Sequence, residues 1–487
     1  MKVLLAGFNV DREVLEELNR DRNITLTPET LSAAYARISR SPKPVDELRK
    51  IAREEIDSAR KSNKRIIFKM GHHSIAEHSV FNFDIIGVSR LIVEEIERFR
   101  LCSYTEKSQR YITLSGDFVI PQEIKATPLL KPFIETVRIQ NNFYRKLYER
   151  LKVHFSRKYP HFSRKRIEGR AKEDARYTVC LATQSQLGMT TNARNLELML
   201  RRFASHPLSE VKELGERLFQ LVERVTPSII LFYKANDYDK KTYPEMKRFI
   251  QEIVKPEKEK GHSDVELVGY TKDGDEILLA SLIHRTTQLP FKECFKRVLG
   301  LSPEKKRELL KSSFRYMEFY DAVLREFEHI NLSYDIVVSA SCFAQLKRHR
   351  MATITSQEYN PSLGITIPES IKEIGMDKDF KEVMERSEEL YFKIYQENPY
   401  TAPYILTNAH RKRVLLTVNA RELYHISRLR EDRSAQWEIR KLANRLTQLA
   451  QEVMPLTFLL IGGKDRYPEV YKRVFGKPPK AIPIQEG

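Results

Sequence analysis

An internal duplication is the feature that most restricts how this chain can fold. Residues 77–100 begin with Glu-His and end with Arg-x-Arg, and the same pattern recurs about 250 residues later at 328–350. Residues 190–194 (TTNAR) recur in the same order as 417–421 (TVNAR). Because the order is kept while the spacing shortens, we predict two copies of one domain with loops of unequal length.

The length and the repeat together predict the domain organisation. A chain of 487 residues is long enough for two or three domains, and the repeat favours two. We predict an N-terminal domain at 1–235, a charged linker at 236–262, a C-terminal domain at 263–475 and a loose tail at 476–487.

The second copy is predicted to open with a β-hairpin. Residues 265–270 (VELVGY) and 276–279 (EILL) flank a Lys-Asp-Gly-Asp turn. Each copy is then predicted to become largely helical, because apolar residues precede both arginine pairs at helical spacing. These residues are Leu91, Ile92 and Ile96 in the first copy, and Phe343 and Leu346 in the second.

Charge and cysteine content restrict the class of protein. There are 84 Lys and Arg against 66 Asp and Glu, and the net charge of +18 favours anionic partners, either nucleic acid or small phosphorylated molecules. The four cysteines form no C-x-x-C pair, which disfavours disulfides or a zinc cluster and favours a cytoplasmic setting. No run of 18 apolar residues and no signal-peptide pattern occurs. The glycine-rich nucleotide motifs are also absent from the sequence.

Three segments carry candidate functional groups. Residues 71–78 (GHHSIAEH) include His73 and His78, whose five-residue spacing favours hydrogen-bonding or capping roles over zinc binding. Cys102 has no base near it in the sequence, which favours a quiet, partly buried thiol over a nucleophile. Residues 98–111 are rich in arginine and serine, a pattern that fits either a phosphate site or a solvated basic loop.

These segments resemble the flavin-dependent thymidylate synthases, the ThyX family, whose signature is R-H-R-x-x-S-x-N-E-x-S-x-R-Y. The first copy matches it at Arg98, Arg100, Ser103, Glu106, Ser108, Arg110 and Tyr111, and departs from it at Phe99 and Thr105. The second copy keeps R-H-R as Arg348, His349 and Arg350, and then has Thr353, Glu358 and Asn360 in place of serine, serine and arginine.

The two copies retain different parts of the family pattern. The family's G-H-x-[ST]-x-x-E-H is complete at 71–78, whereas only Glu-His remains at 328–329. The family's C-terminal helix is similar to residues 417–439 without a gap. At three positions that the family uses, the copies differ: Phe99 against His349, Phe203 against Arg430, and Arg176 against Pro403.

The resemblance covers most of residues 30–230 and 265–475 and implies an α+β fold. It implies two tandem ThyX-like domains, each a small antiparallel sheet packed with long helices. The implied reaction is the reductive methylation of dUMP to dTMP, with methylenetetrahydrofolate and NADPH as co-substrates and FAD as cofactor. The family's tetramer implies a homo-oligomer here, a dimer of tandem chains that mimics it, with dUMP and folate as ligands and without nucleic-acid or membrane partners.

By resemblance, one active site would be divided between the copies. The implied substrate-binding residues are Glu106, Ser108, Gln109, Arg110, Arg176, Gln345 and Arg348. The implied cofactor-binding residues are His72, Ser74, Glu106, Arg348, His349, Arg350, Asn419, Arg421 and His425. Arg430 matches the arginine that lies against the pyrimidine and is the catalytic candidate, and no metal is implied.

The complementary combination of residues is predicted to bind no substrate. It would join Glu95, Phe99, Glu358, Asn360 and Pro403, and a carboxylate repels phosphate. Two alternatives remain open: a flavoenzyme of the same fold that acts on another pyrimidine nucleotide or one-carbon donor, and a noncatalytic nucleotide- or nucleic-acid-binding protein. Complementary loss favours an enzyme, because random decay would strike the two copies at unrelated positions.

Overall fold

Each half of the chain builds a four-stranded antiparallel sheet. The structure, a computed structural model, describes residues 1–18, 25–254 and 263–482. The first sheet has the order β1-β2-β4-β3 and the second the equivalent order β5-β6-β8-β7, so the predicted α+β class is confirmed. The strands are β1 (Lys2–Phe8), β2 (Val80–Ser89), β3 (Ser103–Glu106), β4 (Gln184–Asn192), β5 (Val265–Tyr270), β6 (Asn331–Ser339), β7 (Thr353–Ser356) and β8 (Arg411–Asn419).

The helices of the described chain follow in sequence order. As far as residue 254 they are α1 (Arg12–Leu18), α2 (Glu29–Arg37), α3 (Val45–Glu54), α4 (Ile56–Asn63), α5 (Arg90–Glu97), α6 (Gln122–Lys125), α7 (Leu130–Lys158), α8 (Arg164–Ala175), α9 (Ala193–Ala204), α10 (Ser209–Glu223) and α11 (Asp237–Ile253). From residue 263 they are α12 (Gly274–Thr286), α13 (Phe291–Leu299), α14 (Pro303–Phe314), α15 (Ala340–Leu346), α16 (Glu369–Glu373), α17 (Asp377–Glu397), α18 (Ala420–Arg430), α19 (Trp437–Val453) and α20 (Tyr467–Phe475).

The central strands follow the two-residue period of a half-buried sheet. In β2 the side chains of Phe81, Phe83 and Ile85 are buried while the residues between them are exposed. Strand β6 alternates in the same way as far as Ile336 and is buried from there to its end, and its Tyr334 pairs with Leu416 of β8. Each sheet thereby turns one apolar face towards its helices.

A hydrophilic cap starts each helix that leaves a central strand. The side chain of Ser89 accepts a hydrogen bond from the backbone N of Ile92 at the start of α5, and Ser339 accepts one from Cys342 at the start of α15. Asn192 and Asn419 cap α9 and α18 in the same way. The caps explain why both copies change from strand to helix at the same place.

The chain forms two compact units that do not coincide with the two sequence copies. One unit joins Met1–Lys258 with Ile367–Asn408, and the other joins Glu259–Thr366 with Ala409–Gly487. In the first unit α17 packs against α7, where Gln140 Nε2 donates to Ser387 Oγ at 2.8 Å and to the backbone oxygen of Ile405 at 2.9 Å. A segment of the second sequence copy is therefore part of the first unit.

The hairpin predicted at the start of the second copy is wrong in its second arm. Strand β5 forms, but residues 274–286 form helix α12, and β5 pairs with β6 instead. Leu278 and Leu282 are buried at helical spacing, and Asp275 accepts hydrogen bonds from the backbone N of Leu456 and Thr457. Gly274 approaches Met454 so closely that a Cβ would clash with its sulfur, so this glycine allows close packing of the helix.

The predicted linker and tail are only partly described. Most of the linker forms α11, which is capped by Asn236 and Asp239, whereas residues 255–262 lie outside the described chain. In the tail, 476–482 contain no helix or strand, and 483–487 lie outside the described chain. No described helix is both long and apolar enough to span a membrane.

Candidate functional site

The first unit carries a group of arginine, serine and glutamine side chains where β3 ends. Strand β3 is an edge strand beside β4, and Ser108, Gln109 and Arg110 follow it directly. Arg110 Nε donates to Glu173 Oε2 at 2.5 Å, and Arg176 Nε donates to the backbone oxygen of Glu173 at 3.3 Å. The end of α8 thus holds two arginines of the first copy through one glutamate.

Two buried donors of this group have no acceptor among the described residues. They are Nη2 of Arg176 and Nε2 of Gln109, whose side chains are buried. Burial lowers the pKa of Arg176, and the charges of Arg110 and Arg90 lower it further. An anion placed here would accept from the free donors and offset the repulsion between the arginines. We name Ser108, Gln109, Arg110 and Arg176 the anion subsite.

The second unit carries a different polar cluster at the ends of α15 and α18. Arg430 Nε donates to His349 Nε2 at 2.9 Å. Because arginine can only donate, Nε2 must be the unprotonated, accepting nitrogen of the ring. The proton of the neutral imidazole must be on Nδ1, which lies 3.3 Å from Glu422 Oε1. Burial, followed by the charges of Arg430 and His425, holds the pKa of His349 well below its ordinary value. His349 is therefore neutral and accepts from Arg430.

Glutamine side chains support this cluster. Arg430 Nη2 donates to the backbone oxygen of Gln345 at 3.1 Å. The side chain of Gln345 donates to Gln436 Oε1 at 3.4 Å, and Gln436 in turn caps α19 by accepting from Ile439 N at 3.2 Å. The Oε1 of Gln345 is buried without a partner in the described chain. We name Gln345, His349, Glu422, His425 and Arg430 the polar cluster.

The first copy replaces the polar cluster with an apolar contact. Phe99 and Phe203 occupy the positions of His349 and Arg430, and their rings meet edge to face with centroids 5.8 Å apart. Glu95, at the position of Gln345, binds His206 and Arg98; although burial raises the pKa of Glu95, these partners hold it at about 2. A negative charge is thereby fixed where the second copy has a neutral amide.

The second copy likewise replaces the anion subsite. Asn360, at the position of Arg110, accepts hydrogen bonds from the backbone N and Oγ of Ser362 at 3.0 and 2.8 Å. Tyr359, at the position of Gln109, is buried with the ammonium of Lys412 4.2 Å from its ring centre. The second copy thus has a cation–π contact at the position where the first copy has the buried amide of Gln109.

The Asn-Ala-Arg repeat has a structural role in both copies. Asn419 caps α18 by accepting from Glu422 N at 2.8 Å, and Arg421 pairs with Glu328 at 2.7 Å. In the first copy Asn192 caps α9 and Arg194 pairs with Glu77. The repeated Glu-His and Asn-Ala-Arg motifs are thus joined by an ion pair in each unit.

The other predicted cofactor residues lie in several places. His72 and Ser74 line a cleft of about 570 Å³ in the first unit, together with Tyr35 and Arg40. Glu106 accepts from Ser185 Oγ at 3.3 Å at the end of β3. Arg348 and Arg350 are exposed at the end of α15.

Two candidates, a metal site and the thiol of Cys102 as a nucleophile, can be compared with the side chains around them in the described structure. Within the described ranges, no three histidine, cysteine, aspartate or glutamate side chains are grouped so that they could hold a metal ion. Cys102 is buried, and its Sγ donates to Thr191 Oγ1 at 3.2 Å. The sequence predicts a partly buried thiol, and the structure places it more deeply, almost fully buried.

Sequence reasoning missed several residues of these groups. Glu173 lies three residues before Arg176 on a basic helix, a spacing that could have identified it. Glu422 follows the Asn-Ala-Arg motif, and Gln436 belongs to a motif that the family resemblance already contained. Asn408 offered no signal in the sequence, because its partners lie more than 200 residues away.

Two four-stranded antiparallel sheets of equivalent order, each packed with helices, define a duplicated α+β protein, and comparison with known proteins identifies its family. The family model described as "Thymidylate synthase complementing protein" matches residues 23–228 and 266–456. The chain belongs to this family, ThyX, with one match in each copy, which confirms the predicted duplication.

The relatives include proteins of both similar and shorter length. A UPF0159 protein of Chlamydia muridarum is 26% identical over 417 residues, which span 80% of this chain and 78% of that protein. A flavin-dependent thymidylate synthase of Clostridium tetani is 33% identical over 215 residues, which span 43% of this chain and 83% of that enzyme. The crystal structure of thymidylate synthase X from Helicobacter pylori with FAD and dUMP is 18% identical, with a TM-score of 0.30, and its match spans 47% of this chain and 99% of that one.

Proposed function

We propose that this protein is a flavin-dependent thymidylate synthase that methylates dUMP to dTMP with methylenetetrahydrofolate and NADPH through FAD. The observation that carries the proposal is the complementary loss between copies. The anion subsite is intact only in the first copy, and the His349–Arg430 pair is present only in the second. One active site that takes its phosphate residues from one copy and its polar cluster from the other accounts for both losses.

The anion subsite suits the phosphate of dUMP. Arg110 and Arg176 supply guanidinium donors, Ser108 a hydroxyl and Gln109 an amide N–H. The buried unpartnered donors of Arg176 and Gln109 support this role, since an unsatisfied buried donor costs about 1–3 kcal/mol until an acceptor arrives. In the proposal Arg348 adds a further charge from the second copy.

The polar cluster suits the pyrimidine ring. The neutral His349 accepts from Arg430 Nε, and the carbonyl of Gln345 accepts from Nη2, so the guanidinium is fixed in orientation. In the proposed site its positive charge stabilises negative charge that develops on the ring during methyl transfer. The free Oε1 of Gln345 is an acceptor for a ring N–H.

The residues of the first unit fit a flavin nucleotide. The cleft of about 570 Å³ combines apolar Ile38, Ile66 and Ile75 with the polar groups of Arg40, His72 and Ser74, a lining that can hold both a ring system and phosphates. When bound, FAD supplies the hydride chemistry that side chains cannot. In the proposal His72, Ser74 and Glu106 would hold it with Arg348, His349, Arg350, Asn419, Arg421 and His425.

The complementary pseudo-site is proposed to bind no substrate. Glu95 is negatively charged, Asn360 is hydrogen-bonded to Ser362, and the ammonium of Lys412 lies over the Tyr359 ring. A dimer of such chains would then have two competent sites, where a tetramer of single-copy subunits has four. We propose this dimer as the functional assembly, and the boundaries 1–235 and 263–475 as the limits of the duplicated domain.

The decisive test is tritium release from dUMP labelled at C5, in the presence of FAD, NADPH and methylenetetrahydrofolate. Release that depends on FAD, NADPH and methylenetetrahydrofolate is the expected result. Release only from another pyrimidine nucleotide, with FAD bound, would replace the proposal with the altered-substrate alternative. Protein that is colourless and cannot be reconstituted with FAD would contradict both enzymatic functions.

A further inference from the structure

We propose that Asn408 is a positioning residue that turns the amide of Gln109 so that its N–H donors face the nucleotide phosphate. Asn408 is buried in the first unit, and its Nδ2 donates to the backbone oxygen of Arg176 at 3.0 Å and to Gln109 Oε1 at 2.9 Å. The inference rests on the proposed function, because the phosphate that Gln109 would face is that of dUMP.

The orientation of both amides follows from one backbone carbonyl. The oxygen of Arg176 can only accept, so the asparagine must place its NH2 group on that side. The same NH2 group then requires an acceptor from the glutamine, which fixes Oε1 of Gln109 towards Asn408. The Nε2 of Gln109 is left on the other side, buried and without a partner among the described residues. The backbone carbonyl of Arg176 thus determines, through Asn408, in which direction the N–H donors of Gln109 point.

The second sequence copy supplies this residue to the first copy's subsite. Asn408 ends the segment Ile367–Asn408 that packs in the first unit, and its backbone N donates to the oxygen of Val179 at 3.0 Å. We call the two hydrogen bonds of Asn408, to the Arg176 oxygen and to Gln109 Oε1, the relay. The equivalent position in the first copy is Leu181, whose side chain can form neither bond. The anion subsite therefore depends on both copies even within one unit.

The isosteric variant Asn408→Asp reverses the relay without changing its shape. A carboxylate cannot donate to the Arg176 oxygen and instead accepts from Gln109, so the glutamine amide turns and presents its oxygen to the phosphate. We expect dUMP affinity to fall about tenfold or more, because a donor is replaced by a repelling acceptor. Asn408→Leu, which leaves Gln109 free to rotate, should have a smaller effect.

Isothermal titration of the full-length, FAD-loaded protein with dUMP and with deoxyuridine tests the inference. Asn408→Asp should weaken dUMP binding and leave deoxyuridine binding unchanged, since only the phosphate is affected. In a Gln109→Ala background the same substitution should have little further effect. Gln140→Met, which removes a buried amide between α7 and α17, is the matched control and should lower the melting temperature without changing the preference for dUMP.

Separate results would contradict the inference and the proposed function. Equal weakening of dUMP and deoxyuridine by Asn408→Asp, or an undiminished effect in the Gln109→Ala background, would overturn the positioning role. If wild-type protein binds neither nucleotide nor nucleoside, the proposed function fails, and inorganic phosphate then serves as the probe. Thermal stabilisation by phosphate that Asn408→Asp removes would still support the relay, and stabilisation that it leaves unchanged would overturn it.

Discussion

Replacing the His349–Arg430 pair with two phenylalanines would test whether the pair acts as one unit. The first copy already carries this replacement as Phe99 and Phe203. The variants are His349→Phe, Arg430→Phe and the double substitution. Each single change removes one partner of a partly buried hydrogen bond of 2.9 Å and leaves the other without its partner in that bond.

The expected energies follow from this geometry. Arg430→Phe leaves the buried His349 without its partner in this bond, which should cost about 1–3 kcal/mol, whereas His349→Phe leaves the half-buried Arg430 with its bond to the Gln345 backbone oxygen and should cost less. The double variant removes both polar groups, and an edge-to-face ring contact adds about 0.5–1.5 kcal/mol of stabilisation. The double variant should therefore be more stable than the sum of the single variants predicts, with a coupling energy of about 2 kcal/mol.

Chemical denaturation can report on the second unit alone. Trp437 is the single tryptophan of the chain and begins α19, so its fluorescence follows the unit that contains the pair. The first copy has Gly215 where Ala443 stands in the second, and a Cβ on Gly215 would lie 3.0 Å from the Cβ of Phe203. The double variant should accordingly be measured with and without Ala443→Gly. Additive changes within about 0.5 kcal/mol would refute the pairing, and tritium release should be lost in every variant.

Three further predictions concern the two groups of residues. Arg176→Met should weaken dUMP binding about 10- to 100-fold. The melting temperature without ligand should stay unchanged or rise, because the substitution removes a buried N–H that has no acceptor among the described residues. Melting scans with and without dUMP measure both effects, and a large loss of ligand-free stability would contradict the reasoning. Arg348→Ala should also weaken dUMP binding in titration, and wild-type affinity would show that the copies share no site. Because the folded pKa of His349 lies well below its ordinary value of 6.5, the unfolded chain binds more protons below that pH, so stability should fall as the pH drops below about 6.5. Trp437 denaturation between pH 5 and 7 should show a smaller slope for His349→Gln, and an equal slope would contradict the assignment.

Local patterns made much of the fold predictable. The duplication and the helices before the arginine pairs follow from residue spacing, and the α+β class is implied by the family resemblance. The structure adds local caps such as Ser89 and Ser339, whose partners lie within three residues. The predicted second arm of the hairpin is wrong because its local sequence pattern fits two structures. Residues 277–283 are mostly apolar and suit either a strand or a buried helix, and only packing against residues such as Met454 decides between them.

Long-range partners could not be predicted from the sequence. Comparing the copies position by position shows that Phe99 and Phe203 replace His349 and Arg430, but it does not show that each pair is in contact. The transfer of 367–408 to the first unit depends on the packing of α17 against α7 and on backbone bonds such as that from Leu181 N to Leu406 O at 2.8 Å. Whether the anion subsite and the polar cluster form one site stays a prediction.

Because the two residues of the pair are replaced together, each copy of a duplicated chain would keep only its own part of the proposed active site. Losing only Arg430 leaves the buried His349 without its partner in this hydrogen bond, which costs about 1–3 kcal/mol, a large share of the stability of an ordinary domain. Once both positions have become aromatic, as Phe99 and Phe203 have, a single reversion carries the same penalty in the opposite direction. The first copy can therefore regain a polar pair only by two simultaneous changes. Because Glu95 also carries a fixed charge there, each copy is held to the half that it retains, and function in the proposed enzyme depends on keeping both copies in one chain.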